Sequence, residues 1–210
     1  MKSETIEVKK DDLRGLFQVL TNYPAISKEQ VQNEMYKVFG EDTFKPQDIT
    51  ERVKTFDDAC RELGEDHPFV SAYNELLSTA TRENFLIEVF GFDTVSFMKL
   101  RIICAALNEG WEPQFTEDEW RWFPWFTLWT KEELSQKPNE WKSNRSLIFI
   151  GDKYRSVYAG LACADSHYAP SHTLAYFGSR LCLKSESLAT YCGKQFIDIW
   201  ADFYLIRKCE

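Results

Sequence analysis

Histidine and carboxylate side chains occur close together in one stretch of the sequence, and they are the first candidates for chemistry. Asp165, His167 and His172 offer two imidazoles and one carboxylate, which are residue types that bind divalent metals. However, Ala169 and Pro170 separate the histidines, and no fourth ligand is nearby in the sequence. Because ligand number decides such sites, we favour hydrogen-bonding or surface histidines and predict no bound metal or other cofactor.

Nucleophilic catalysis is the second chemistry to consider, because Cys163 and His167 are close in sequence. Cys163 belongs to an alternating apolar run, which favours an inert buried thiol over an activated one. The acidic run at 117–119 places consecutive carboxylates that do not converge on one point, so a solvated loop is the simpler interpretation. No phosphate-binding, dinucleotide-binding, zinc-protease or serine-hydrolase motif is present in the sequence. We therefore expect a protein that is not an enzyme, with a metal-dependent enzyme as the least favoured alternative.

The segment 152–176 instead has a composition that is typical of contact surfaces. It places tyrosines and histidines among Ser, Ala and Gly, and its part from Ser156 onward contains no Lys or Arg. Aromatic side chains on such a background give rigid contact area with adaptable hydrogen bonding, as in antibody paratopes. The alternative is that these tyrosines pack inward and the serines cap turns. The predicted ligand-binding residues are Tyr154, Tyr158, Asp165, His167, Tyr168, His172, Tyr176 and, from a separate stretch, Trp125.

The separate stretch, residues 111–129, contains five tryptophans and three phenylalanines. Large aromatic rings dominate packing, so we favour a core strand; the alternative is a partly exposed aromatic platform for a sugar or peptide. Alternation would place Trp120, Trp122 and Pro124 on one buried face and Arg121, Phe123 and Trp125 on the other. Both faces carry aromatic rings, which predicts a strand covered on both sides.

Composition narrows the classes of partner. The formal net charge is −8, with no run of Lys and Arg, so nucleic acid is not an expected partner. The first residues lack an apolar signal-peptide core, and the longest apolar stretch, residues 97–107, is interrupted by Lys99 and Arg101. The six cysteines form no C-x-x-C pair, which favours free thiols in a reducing compartment. We expect no membrane span and synthesis in the cytoplasm.

Hydrophobic periodicity predicts helices in the first half of the chain. Residues 11–20, 28–39, 56–63, 69–79 and the stretch from Asp93 to Leu107 follow helical spacing, whereas 85–92 suits either a helix or a strand. Ser27 and Thr55 each precede a run in which a capping box can form.

After Trp111 the pattern indicates short strands, with candidates at 146–150, 156–164 and 173–183. Ser185 then caps a wide apolar stripe that predicts one long terminal helix to about residue 206. The expected organisation is an N-terminal helical segment at 1–45, a helical region at 46–110, and an aromatic-rich α+β region at 111–210.

Four segments resemble uncharacterised proteins from gut Bacteroidales and their phages. They are FKPQDITERVKTFDD at 44–58, LRIICAALNEGWEP at 100–113, RWFPWF at 121–126 and the terminal stretch 185–204 with GKQFIDIWAD. This resemblance covers most of the chain beyond residue 44 and implies no particular activity.

A second resemblance concerns the end of the predicted contact segment. The Tyr/Ser/Ala/His-rich stretch closing on FGSRLCL at 177–183 resembles the ending of C-type-lectin-like modules of the formylglycine-generating-enzyme type, which is shared by diversified phage and bacterial variable proteins. The resemblance assigns Gly178, Arg180 and Leu181 to a closing strand and makes the preceding tyrosines and histidines displayed residues. This chain departs from those modules in its loop composition, in lacking a Trp near the start of the loop, and in its terminal helix.

The sequence therefore predicts an α+β protein in which N-terminal helices support a loop-rich, C-type-lectin-like antiparallel β unit and a long terminal helix. The favoured function is a binding module that presents residues 152–176 to a protein or glycan ligand. The alternative is a phage structural or assembly protein that acts through subunit contacts, as a homo-oligomer or as part of a virion.

Overall fold

The computed structural model describes residues 8–23, 25, 27–40, 43–80, 83–114, 116, 118–170 and 179–208. The chain divides into two compact units, Met1–Asp48 and Ile49–Glu210.

The described part of the first unit forms helices α1 (Lys10–Thr21) and α2 (Lys28–Phe39). Ser27 begins α2, because its side chain accepts a hydrogen bond from the Gln30 N–H, and this confirms the predicted N-cap. Phe17 of α1 packs on Phe44, with ring centroids 4.6 Å apart. Aromatic contacts of this kind hold the two short helices together.

The second unit begins with five helices. They are α3 (Ile49–Arg52), α4 (Phe56–Leu63), α5 (Pro68–Ala80), α6 (Glu83–Phe90) and α7 (Phe92–Asn108). Thr55 and Asp58 form the predicted capping box at the start of α4, and Gly64 ends that helix at a positive φ of 85°. The segment whose sequence suited either class is helical and forms α6. The sequence pattern favours Asp93 or Thr94 as the cap of the next helix, but α7 begins after Gly91, two or three residues earlier.

A small antiparallel sheet follows α7. Its strands are β1 (Trp120–Trp129), β2 (Ile148–Phe149) and β3 (Gly160–Pro170), in the order β1-β3-β2. Two short helices, α8 (Lys131–Ser135) and α9 (Asn139–Asn144), connect β1 to β2. The predicted strand at 156–164 is therefore shifted toward the C-terminus, and the strand at 146–150 is reduced to two residues.

Of the predicted third strand at 173–183, only residues 179–183 lie among the described residues. There the prediction of a strand is wrong. Residues Ser179–Leu181 form a 3-10 turn, and only Leu183 pairs with the sheet, through two backbone hydrogen bonds with Trp122. Gly178, which the resemblance assigned to a closing strand, lies outside the described residues.

The predicted long terminal helix is also wrong in one respect, because it is two helices. Helix α10 (Glu186–Gln195) begins at the predicted cap Ser185, and α11 (Ile197–Tyr204) follows after Phe196 leaves helical backbone geometry. Phe196 packs in the main core with Trp200, whereas Ile197 and Ala201 pack in a second cluster with Ile150. Because of this break, residues of one apolar stripe pack into two different hydrophobic clusters.

The main core of the second unit joins residues from both sides of position 110. Leu100, Ile103 and Leu107 of α7 pack with Leu181 and Leu183 and with the apolar face of α10 and α11. The helical and aromatic-rich regions at 49–110 and 111–210 thus share one hydrophobic core. The architecture is α+β, helix-rich with a small antiparallel sheet, as predicted. Across the described ranges, no helix is both long and apolar enough to span a bilayer.

Candidate functional site

An apolar cleft opens beside β1, and we call it the tryptophan cleft. Its volume is about 330 Å³, and it lies between the middle of β1 and the end of α11. Trp125 is the largest side chain in its wall and is 49% exposed. The cleft is lined by Pro124, Trp125, Phe126, Leu128, Leu161, Tyr204 and Leu205.

A β-bulge in the sheet sets the direction of the cleft wall. Trp125 pairs with Asp165, but the next residue of β1, Phe126, pairs with Cys163, so β3 carries one extra residue between them. Phe126 turns toward the core, where its ring centroid lies 5.5 Å from those of Trp200 and Tyr204. The bulge therefore lies between an exposed aromatic residue and its packed neighbour in the strand.

A carboxylate lies across the strand from the exposed indole. Asp165 is exposed, and its Cα is the cross-strand partner of the Trp125 Cα. Directly opposed residues of an antiparallel pair have Cβ atoms only about 5 Å apart on one face. The backbone N–H of Ser166 donates to Asp165 Oδ1 at 2.9 Å, which orients the carboxylate. The structure thus brings together two of the predicted ligand-binding residues.

The predicted alternation along β1 is correct in part. Both faces of the strand are covered near its start, since Arg121 and Phe123 are buried and Trp122 is half-buried. Trp120, however, is 51% exposed, although the pattern predicted that it is buried beside Trp122 and Pro124. Trp120 is the first residue of the strand, and it does not belong to the main core of the second unit.

Tyr154 is not a displayed residue, and this prediction is wrong. Its side chain is buried, and its hydroxyl donates to Asp202 Oδ1 of α11 at 2.5 Å. Arg207 pairs with the same carboxylate, and its guanidinium carbon lies 3.8 Å from the Phe92 ring centroid. Burial raises the pKa of Tyr154, and the hydrogen bond to Asp202 adds to that effect. Tyr154 therefore anchors the C-terminal residues.

The remaining predicted contact residues divide between exposed and undescribed positions. Tyr158 is exposed, and its backbone N–H donates to Ser156 Oγ at 3.0 Å. The backbone register pairs His167 with Phe123 and Tyr168 with Trp122. His172 and Tyr176 lie outside the described residues, as do the side chains of His167 and Tyr168.

The described residues form neither a reactive cysteine site at Cys163 nor a metal site. Cys163 is fully buried, as predicted, and burial raises the pKa of its thiol to about 12, so the thiol is protonated at neutral pH. Within the described part of the chain, no group of three His, Cys, Asp or Glu side chains could hold a metal ion. Since His172 lies outside that part, the metal-dependent alternative that uses Asp165, His167 and His172 stays a prediction.

The sequence did not predict that residues distant from Trp125 in the chain would line the cleft. Leu161 was assigned to a strand and Tyr204 to an apolar helix face, and neither assignment indicated that they line one cleft with Trp125. These residues are distant in sequence, and their meeting depends on how α11 crosses the sheet.

Comparisons with known proteins add no relative. No protein-family model matches the chain, and no curated protein and no solved structure shows significant similarity to it. The two resemblances that the sequence suggests therefore stay predictions.

Proposed function

We propose that this protein is a non-enzymatic binding module whose tryptophan cleft receives a carbohydrate ligand. The observation that carries the proposal is the half-exposed indole of Trp125 next to the oriented, exposed carboxylate of Asp165. This arrangement supports a glycan more than a protein, the two ligand classes that the sequence left open.

The chemistry of the two side chains is complementary to a sugar ring. A pyranose has an apolar C–H face that packs on an aromatic ring, and an indole provides the largest such area. An ionised carboxylate only accepts hydrogen bonds, so Asp165 suits the hydroxyl groups at the rim of the sugar. Apolar walls with few oriented polar groups are typical of small-molecule sites.

The size of the cleft limits the ligand. A volume of about 330 Å³ is near the lower end of the range of roughly 300–1,000 Å³ for ligand pockets. The cleft therefore suits one terminal or branching sugar of a longer glycan. The rest of the glycan would extend over the neighbouring exposed surface.

Two tryptophans on the same strand provide a matched test. Trp125→Ala removes the exposed ring inside the cleft, whereas Trp120→Ala removes a ring of similar exposure that does not line it. An array of immobilised oligosaccharides would identify the best-binding sugar, and calorimetry would then compare the purified variants. Removing a central aromatic contact costs about 2 kcal/mol, so we expect Trp125→Ala to weaken binding about 30-fold.

Trp120→Ala should leave the affinity within about twofold of the wild type, and Asp165→Asn should weaken binding by an intermediate amount. Failure of the wild-type protein to bind any oligosaccharide would contradict the proposal. Equal losses in the two tryptophan variants would contradict it as well, because a general loss of structure would then explain both.

A second candidate function is a subunit of a larger assembly, such as a phage virion or assembly protein. It is favoured by large apolar side chains that the described surface exposes, above all Val157 at 91% and Phe149 at 73%. Size-exclusion chromatography with light scattering tests this directly. A concentration-dependent oligomer that Phe149→Ser and Val157→Ser dissociate supports it, and a strict monomer at high concentration excludes self-assembly through these side chains.

A further inference from the structure

A second concave site lies away from the tryptophan cleft, and we call it the arginine cavity. Its volume is about 280 Å³, and two arginines, Arg101 of α7 and Arg180 of the 3-10 turn, line it together. Its other lining residues are Phe69, Ala105, Asn108, Trp111, Glu112, Pro113 and Cys182.

One buried amide holds the two walls of the cavity together. Asn108 Nδ2 donates to the carbonyl oxygen of Cys182 at 2.9 Å, and Asn108 Oδ1 accepts from the backbone N–H of Lys184 at 3.0 Å. The Cys104 thiol adds a contact of 3.6 Å to the carbonyl oxygen of Leu181. These bonds fix the segment that carries Arg180 against the helix that carries Arg101.

The guanidinium of Arg101 packs on an aromatic ring and has no counter-ion among the described residues. Its central carbon lies 3.9 Å from the ring centroid of Phe69, which positions the group by a cation–π contact. Its Nε is buried and has no hydrogen-bond partner in the described structure. A buried guanidinium N–H without an acceptor is unusual, because leaving it unpaired is unfavourable.

Arg101 lies close enough to Arg180, a group of the same charge, to be affected by it. Burial lowers the pKa of Arg101, and the positive charge of Arg180 lowers it further. Neither arginine forms an ion pair with any carboxylate among the described residues. This occurs in a chain with 33 acidic and 25 basic residues, in which carboxylates are the more abundant charge. Two neighbouring cations that pair with no described carboxylate therefore form a local positive site on an acidic protein, although Glu112 also lines the cavity.

We propose that the arginine cavity binds a small organic anion through a carboxylate or phosphate group placed between Arg101 and Arg180. Planar guanidinium groups donate paired hydrogen bonds to the oxygens of either group, and such charge-assisted bonds are the strong ones. The anion would supply a counter-charge to both guanidinium groups and offset the repulsion between the two arginines. This site goes beyond carbohydrate binding and does not depend on it.

The remaining wall of the cavity restricts the size of the anion. Trp111 and Pro113 offer apolar contact to the body of the ligand, whereas the exposed Glu112 places a negative charge at the lining. That carboxylate disfavours extended polyanions, which carry further charges beyond the group that is bound. The cavity therefore suits a single anionic group on a small molecule, and it does not suit a nucleic acid.

Side-chain NMR of the full chain can test the proposal without knowledge of the natural ligand. The Nε–Hε resonances of ¹⁵N-labelled arginines would be followed during titration with phenyl phosphate, benzoate or inorganic phosphate at constant ionic strength. We expect saturable shifts of the Arg101 resonance. A stronger response to phenyl phosphate would assign a phosphate ligand and a stronger response to benzoate a carboxylate ligand, and both results support the proposal.

Variants with equal change in net charge separate a built site from general attraction. Arg180→Gln removes one exposed cation from the cavity, and Arg61→Gln removes one exposed cation elsewhere. We expect Arg180→Gln to weaken anion binding at least tenfold and Arg61→Gln to leave it unchanged. Shifts that rise linearly without saturation, or equal affinities in the two variants, would overturn the proposal. Because Arg180 is exposed, its variant should fold normally, and circular dichroism would verify this.

Discussion

The tryptophan cleft and the arginine cavity belong to the same unit but are built in different ways. The wall of the cleft comes from strand register and from the packing of α10 and α11 on the sheet. The wall of the cavity comes from a segment distant in sequence, which the buried side chain of Asn108 joins to α7 by two hydrogen bonds. One site depends on the fit of apolar surfaces and the other on a few buried polar bonds. We therefore expect different substitutions to damage them.

The largest effect should come from the asparagine that holds the cavity wall. Asn108→Ala removes the side-chain partner of the buried Cys182 carbonyl and of the part-buried Lys184 N–H. Each unpaired buried group costs about 1–3 kcal/mol, so we expect the free energy of unfolding to fall by about 3 kcal/mol. Urea denaturation followed by circular dichroism measures this change.

The same variant should also distinguish the two sites. Anion binding at the arginine cavity should be lost, while carbohydrate binding at the tryptophan cleft should persist in the folded fraction. Asn139→Ala, at an exposed asparagine of α9, is the matched control and should be nearly neutral. A loss of stability as small as that of the control would show that the bonds of Asn108 contribute little.

A smaller effect is expected from the glycine that lets α10 approach the sheet. A Cβ atom at Gly193 would overlap the Cys163 sulfur and lie 2.7 Å from Pro124 Cβ, in a ring that cannot rotate away. Overpacking costs about 1–3 kcal/mol, and the better helix propensity of alanine returns up to about 1 kcal/mol. Gly193→Ala should therefore lower the free energy of unfolding by about 1–2 kcal/mol, as measured by urea denaturation.

This substitution should affect the tryptophan cleft more than the arginine cavity, because Pro124 lines the cleft. Gly151→Ala is a suitable control, since a Cβ there meets no atom within 4 Å and the backbone needs no positive φ. If the Gly193 variant were as stable as this control, the close approach of α10 to the sheet would be in doubt.

The features predicted best from the sequence are those that depend on residues close together in the chain. Ser27, Thr55 and Ser185 begin helices as expected, because a cap involves residues within one turn. The break at Phe196 was missed because the apolar stripe continues through it. The stripe packs into two separate hydrophobic clusters, and this explains why the helix is interrupted at Phe196.

The sites were less predictable than the helices, because each depends on distant partners. Trp125 was identified from composition, but its position opposite Asp165 requires the register of the bulged strand pair. Tyr154 was assigned to the contact surface, although its partner Asp202 lies 48 positions further along the chain. Arg101 was noticed only as an interruption of an apolar stretch, and nothing near it in the sequence indicates Arg180.

The smallest predicted effect concerns the ion pairs that support the cavity wall from outside. Glu109 accepts from Lys184 Nζ and from Arg52 Nη2, each at 2.8 Å, and Lys184 belongs to the segment that also carries Arg180. The hydrogen bond from Lys184, together with that from Arg52, lowers the pKa of Glu109 below its ordinary value of 4.5. The carboxylate therefore stabilises the folded state in its charged form.

The sign of the pH dependence follows from that shift. Because the pKa is lower in the folded state, the stabilisation is complete above about pH 4.5 and is lost as the pH falls through the folded-state pKa. Glu109→Gln should thus be less stable than the wild type at pH 7, and the difference should shrink in acid. Exposed pairs contribute less than about 1 kcal/mol, and salt should reduce the difference further.

Urea denaturation at pH 7 and at about pH 3 would measure this difference, with Glu112→Gln as the control. Glu112 is exposed at the same cavity but forms no ion pair within the described residues, so its variant should show no such convergence. A stability difference for Glu109→Gln that is constant with pH would mean that its hydrogen bonds, and not its charge, support the wall. The cavity wall would then be held by uncharged contacts, chiefly the buried amide of Asn108, and its contrast with the apolar tryptophan cleft would rest mainly on that amide.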